Sequence, residues 1–163
     1  MVAPAPLVLS LGDPAGIGPD ITLKAWAERR ELGLPAFLVA GDPGALKARA
    51  RHLGLTVPLA ETGPEDAAGR FAEALPVMPA GPASTAMPGK PDASSAPCVV
   101  ASLEAALGLV QASRAAALVT NPLAKSVMYA GGFPFPGHTE FLAARAARAG
   151  RPAPHPVMMI WSE

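Results

Sequence analysis

The chain lacks most of what would assign it to a specialised class. One cysteine, Cys98, in 163 residues excludes an internal disulfide framework and suits a reducing compartment. It reads as a small buried hydrophobe rather than a reactive thiol. Thirteen basic and thirteen acidic side chains cancel to a formal net charge of zero, so no basic field draws nucleic acid or an anionic membrane. Any anionic ligand must therefore be captured locally. No run approaches the ~20 apolar residues of a spanning helix. Residues 1–6 show no positive region leading into a long apolar core, so a cytoplasmic protein is expected. Three histidines, 86 and 17 positions apart, with no clustered carboxylates, offer no metal-ligand spacing, and no metal site is expected in this chain. Repeats and heptads are absent. What is present is a chain half hydrophobic and long enough to bury one substantial core.

Short apolar runs alternate with helical stretches, which predicts an α/β arrangement with buried parallel strands. Residues 7–11, 36–40, 116–119 and 156–161 are the strand candidates. Gly18-Pro19, Asp42-Pro43 and Asn121-Pro122 mark helix starts, because proline at the first helical position loses no hydrogen bond and has φ already set. Helices are expected over about 19–31, 43–53, 96–112, 122–130 and 139–149. In the third of these, Val99, Val100, Leu103, Ala106, Leu107 and Val110 form one apolar stripe. Residues 54–95 are punctuated by glycine, proline, alanine and serine, and only 57–60 and 74–78 look like short strands there. The proline-rich stretch 79–91 reads as a long surface connection, either a linker or a mobile flank of an active cleft.

Three segments place polar groups at helix entrances, and in two of them an apolar strand gives way to the helix. Gly12-Asp13-Pro14-Ala15-Gly16-Ile17-Gly18-Pro19-Asp20 follows the first strand candidate, and Thr120-Asn121-Pro122-Leu123-Ala124-Lys125 follows the third. The glycine turn matches neither common phosphate loop. A dinucleotide fingerprint needs glycine where Ile21 stands, and a P-loop needs lysine where Pro19 stands. What remains is a flexible turn (Gly12, Asp13, Gly16, Gly18) at a strand's carboxyl end, where ligands of open α/β sheets sit, or a tight connection with no ligand. Asp13 suits a turn former, and Asp20 a partner for the helix dipole. Lys125, one turn into its expected helix, either reaches back over the strand ends or is simply solvated. The third segment, Gly131-Gly132-Phe133-Pro134-Phe135-Pro136-Gly137-His138-Thr139-Glu140-Phe141, displays an imidazole and a hydroxyl at a helix entrance. Thr139 as N-cap and Glu140 in the first turn would leave free N–H groups beside His138, a place to bind an anion. His52 and His155 read as structural.

Together GDPAGIGPD, TNPLAKSVMYAGG and FPGHTEF, in this order, resemble the 4-hydroxythreonine-4-phosphate dehydrogenase family of vitamin B6 biosynthesis. Pro88-Gly89-Lys90-Pro91 and residues 156–160 add to a resemblance that spans essentially the whole chain. It implies an isocitrate/isopropylmalate-dehydrogenase-like α/β fold, of which this chain is the N-terminal half, with residues 1–120 in a first domain and 121–163 starting the second. It also implies NAD- or NADP-dependent oxidation of 4-phosphooxy-L-threonine, followed by decarboxylation to 3-amino-2-oxopropyl phosphate, in a homodimer. A divalent metal (zinc, magnesium or cobalt) would be held by histidines outside this chain. The histidine and threonine of GHTEF contact substrate in that family and correspond to His138 and Thr139, while a lysine occurs at the place of Lys125. The competing readings are a paralogous dehydrogenase acting on a four-carbon sugar-acid phosphate or an aromatic cis-dihydrodiol, and a non-enzymatic phosphate-binding module.

Overall fold

A computed structural model describes residues 5–147 and 154–162. Two compact units are present, Met1–Phe133 and Pro134–Glu163. The first holds a five-stranded sheet in the order β3-β4-β2-β1-β5. Its strands are β1 (Leu7–Ser10), β2 (Phe37–Gly41), β3 (Leu59–Glu61), β4 (Leu75–Pro79) and β5 (Leu118–Val119), and every pairing is parallel. Helices α1 (Gly18–Ala27), α2 (Pro43–His52), α3 (Pro64–Arg70), α4 (Ala96–Gln111) and α5 (Lys125–Ala130) belong to the same unit, and α6 (His138–Ala146) to the second.

The sheet is covered on both faces because its strands are apolar on both. Phe37 and Val39 join Leu23 and Trp26 of α1 and Leu46 and Ala50 of α2. Val8, Leu38 and Ala40 point the other way, toward Ala67 of α3 and Ala106 and Leu109 of α4. Asp42 caps α2 by accepting the N–H of Gly44 at 2.7 Å, with Pro43 in the first turn as the sequence predicts. Ser102 of α4 is fully buried; it accepts the N–H of Leu11 at 2.8 Å and donates to the carbonyl of Ala40 at 2.6 Å, tying β1 to β2 at their carboxyl ends.

Several expectations need correction. The apolar run at 156–161 forms no strand. It has no regular structure and is exposed, Val157 by 77% and Ile160 by 91%, because a strand needs a neighbour and none pairs with it among the described residues. The fourth helix starts at Lys125 rather than Pro122, since the Pro122 carbonyl turns outward to accept the N–H of Asp13 at 3.0 Å. Of the expected stripe on α4, Val99, Leu103 and Ala106 are buried, joined by Cys98, Ser102 and Leu109, whereas Val100, Leu107 and Val110 are half-buried. With the 3₁₀ turn Ala93–Ser95 before it, α4 reaches 19 residues of mean hydropathy 1.5, long and apolar enough to cross a membrane by length and composition. Here it serves as a core helix against β1 and β2. The predicted end of the last helix, residues 148 and 149, lies outside the described residues.

Candidate functional site

The strand order itself locates a candidate cleft. From β1 the chain moves to β2 on one side, whereas after β4 it crosses back through α4 to place β5 on the other side of β1. The strand order thus changes direction at β1, whose carboxyl end borders the kind of crevice in which open α/β sheets bind ligands. The glycine turn and Asn121 meet there. Buried Asn121 donates from Nδ2 to the Ser10 carbonyl and to Thr22 Oγ1, each at 2.8 Å, while its N–H donates to Ser10 Oγ at 3.1 Å. One amide thus joins β1, α1 and the end of β5.

This packing accounts for two of the glycines. Gly12 has φ +72°, and a Cβ on it would lie 2.6 Å from the Pro122 carbonyl oxygen. A Cβ on Gly18 would lie 2.8 Å from the Leu11 carbonyl oxygen and 3.1 Å from Asn121 Cβ. Gly16 is less constrained, with the Asp13 carbonyl oxygen at 3.3 Å. The close approach expected of this turn is thus made by the chain itself. Asp13 is buried, and its Oδ1 accepts the N–H of Ala15 at 2.9 Å in an Asx turn. Asp20, in the first turn of α1, also pairs with the buried guanidinium of Arg49, which donates to the Pro14 carbonyl as well.

The linker reading of residues 79–91 is corrected, because the segment is fastened to the strand ends. Ala80 donates to the Gly41 carbonyl at 3.1 Å, Ser84 N–H to Asp42 Oδ2 at 2.8 Å, and Gly89 N–H to the Ala15 carbonyl at 2.9 Å. Between it and α2 lies a cleft of about 240 Å³ lined by Pro14, Arg49, His52, Ser84 and Pro88 among others. Cys98 lies beneath this end of the sheet. Burial first, then the charges of Asp42 and Asp13, push its thiol up to about 11, so it stays protonated at neutral pH.

The second unit carries the imidazole. Gly137, not Thr139, is the N-cap of α6, which puts His138 first and Thr139 second in the helix. No side chain caps this end, and the first bond back to Gly137 comes from the Phe141 N–H at 3.3 Å. The N–H groups of His138, Thr139 and Glu140 therefore point out of the helix end. Burial lowers the imidazole's pKa from its usual value, and Nε2 is buried with no hydrogen-bond partner among the described residues. Phe135 packs edge-on to Phe141, ring centres 5.5 Å apart, within this unit. Lys125, in the first unit, is exposed at the start of α5 rather than one turn into it. His52 ends α2, exposed, and His155 is exposed with no regular structure around it.

Sequence reasoning marked Asn121 and Asp42 only as helix starts, without their bonds to Ser10, Thr22 and Ser84, and it missed Ser95 and Ser102. Two of these had a signal: Ser95 and Ser102, seven residues apart, sit on the face that α4 buries.

Known proteins place this arrangement in a family. The family model of pyridoxal phosphate biosynthetic protein PdxA matches residues 34–163. The chain is 94% identical over all 163 residues to the 4-hydroxythreonine-4-phosphate dehydrogenase of Xanthobacter autotrophicus, of which it covers 47%. A crystal structure of the Klebsiella pneumoniae 4-hydroxythreonine-4-phosphate dehydrogenase is 29% identical and superposes with a TM-score of 0.71 over 86% of this chain and 44% of that one. A terephthalate 1,2-cis-dihydrodiol dehydrogenase from Burkholderia xenovorans, 25% identical, superposes with a TM-score of 0.67 over 91% of this chain and 42% of that one. The chain spans about half the length of the curated relatives it matches. With the family model matching four-fifths of its length, this chain belongs to the PdxA family of pyridoxal phosphate biosynthetic proteins.

Proposed function

We propose that the protein containing this chain oxidises 4-phosphooxy-L-threonine and releases 3-amino-2-oxopropyl phosphate and carbon dioxide, as a cytoplasmic homodimer of isocitrate/isopropylmalate-dehydrogenase-like fold. The observation that carries this reading is the 94% identity, across the whole chain, to a protein named for that dehydrogenase activity. NAD or NADP supplies the hydride acceptor. The described residues do not fit a metal site, since no three His, Cys, Asp or Glu side chains among them come together. The divalent ion that the family resemblance implies would be held by residues outside this chain, where it would polarise the substrate's oxygens.

The chain's own part is binding and orientation. His138, its imidazole held neutral by burial, accepts a hydrogen bond at one ring nitrogen and donates at the other. The Thr139 hydroxyl and the outward N–H groups of α6 hold oxygens of the phosphorylated substrate. In the first unit, Lys125 is assigned to substrate binding, and the turn Gly12, Asp13, Gly16, Gly18 borders the cleft at the carboxyl end of β1. A second reading has its own support in the likeness to the terephthalate dihydrodiol enzyme. Turnover by the full-length protein on 4-phosphooxy-L-threonine, on an aromatic cis-dihydrodiol and on a four-carbon sugar-acid phosphate tests both. Preference for the first substrate is expected, and preference for either of the others would overturn the assignment.

A further inference from the structure

Asp13 carries more acceptor capacity than its turn uses. The residue is 2% exposed, and its Oδ1 meets both the Ala15 N–H at 2.9 Å and, at 3.4 Å, the hydroxyl of Ser95 at the foot of α4. Oδ2 is buried and has no hydrogen-bond partner among the described residues. The guanidinium that reaches this turn, that of Arg49, donates to the Pro14 carbonyl and is paired with Asp20. An Asx turn is complete with one oxygen, and asparagine would close it as well as aspartate. A second carboxylate oxygen kept dry and unmatched is unfavourable and calls for a role. Its position supplies one, because Asp13 follows β1 at the point where the strand order reverses.

We infer that Asp13 Oδ2 is a binding group for an N–H or O–H donor on the ligand of this crevice. The inference rests on the dehydrogenase reading above. A carboxylate repels phosphate, so the group it receives is a neutral or cationic donor: the carboxamide of the nicotinamide cofactor, or the hydroxyl or ammonium of the hydroxy amino acid. The ligand's phosphates must lie elsewhere.

The test uses the full-length enzyme and Asp13→Asn. Asparagine keeps the oxygen that closes the turn and replaces the unmatched acceptor with a donor. Loss of one hydrogen bond to a charged acceptor predicts a fall in affinity of about tenfold to a hundredfold, with Tm close to wild type. A weakened Kd for NAD measured calorimetrically places the donor on the cofactor, while a raised KM for 4-phosphooxy-L-threonine at saturating NAD places it on the substrate. Both constants within twofold of wild type would overturn the inference and leave Asp13 a turn former. Should Asp13→Asn fail to fold, Asp13→Ser, whose hydroxyl closes the same turn, carries the same measurements. Wild-type turnover is the separate control: its failure would sink the functional reading, whereas a change confined to the variants concerns Asp13 alone.

Discussion

The helix entrances at Gly12–Pro19 and Gly137–Glu140 look alike in sequence, each with glycine, a nearby proline and an acid in the first turn, yet they use these residues differently. At the first, the glycines make room for the chain itself: Gly12 is in the left-handed region against the Pro122 carbonyl, and Asn121 closes the junction with three hydrogen bonds. At the second, Gly137 is extended, and a Cβ on it would meet only Glu140 Oε2, at an ordinary 3.5 Å. No side chain caps that helix, and a ring nitrogen has no hydrogen-bond partner among the described residues. One entrance is closed tightly by the fold, and the other is not. Glycine therefore marks a packing constraint in the first place and no such constraint in the second.

Stability separates the two most sharply. Gly12→Ala forces a side chain into a left-handed conformation and against a carbonyl oxygen, and should cost about 2–5 kcal/mol in denaturant unfolding of the full-length protein. Gly137→Ala should cost less than about 1 kcal/mol, and equal losses for the pair would erase the distinction. Activity comes next: His138→Asn should lower kcat/KM by about 1.5–3 kcal/mol of transition-state stabilisation without moving the unfolding midpoint. Unchanged kinetics would remove His138 from the site.

The smallest effect is on pH dependence. Burial depresses the folded-state pKa of His138 below its unfolded value of 6.5, so the unfolded chain takes up the proton first as pH falls. The contribution of this ring to stability is thus fully present above pH 6.5 and declines as pH drops from there toward the folded pKa. An imidazole resonance titrating with a midpoint above 6.5 would contradict the burial.

Legibility followed the strength of the local signal. β1 and β2 are readable because each is a continuous apolar run, and α1 and α2 because proline marks their starts. α3 begins in the same way, at Pro64 with Glu65 and Asp66 in its first turn, but its seven residues bury only Pro64 and Ala67, so no apolar period announces it. β4 was blurred by Pro76, whose missing N–H argues against a central strand. The structure accommodates it because pairing with β2 begins one residue later, at Val77 opposite Val39. The apolar run after His155 read as a strand because composition records propensity but not the presence of a neighbour. In the candidate site, His138 could be singled out by its setting. The role of Asn121 could not, since its partners Ser10 and Thr22 lie 111 and 99 residues earlier.

That separation bears on the order in which the molecule is assembled. β1 precedes the other strands of this sheet along the chain, but it lies between β2 and β5, and the Asn121 clasp that secures its carboxyl end must wait for a residue 111 positions after Ser10 to emerge. Closing so large a loop is slow, because chain entropy is lost before the contact rewards it. Until then one side of β1 is an open edge in a nascent chain that has already built much of its core, and this interval is when the protein is most exposed to mispairing with a neighbouring chain and to capture by chaperones.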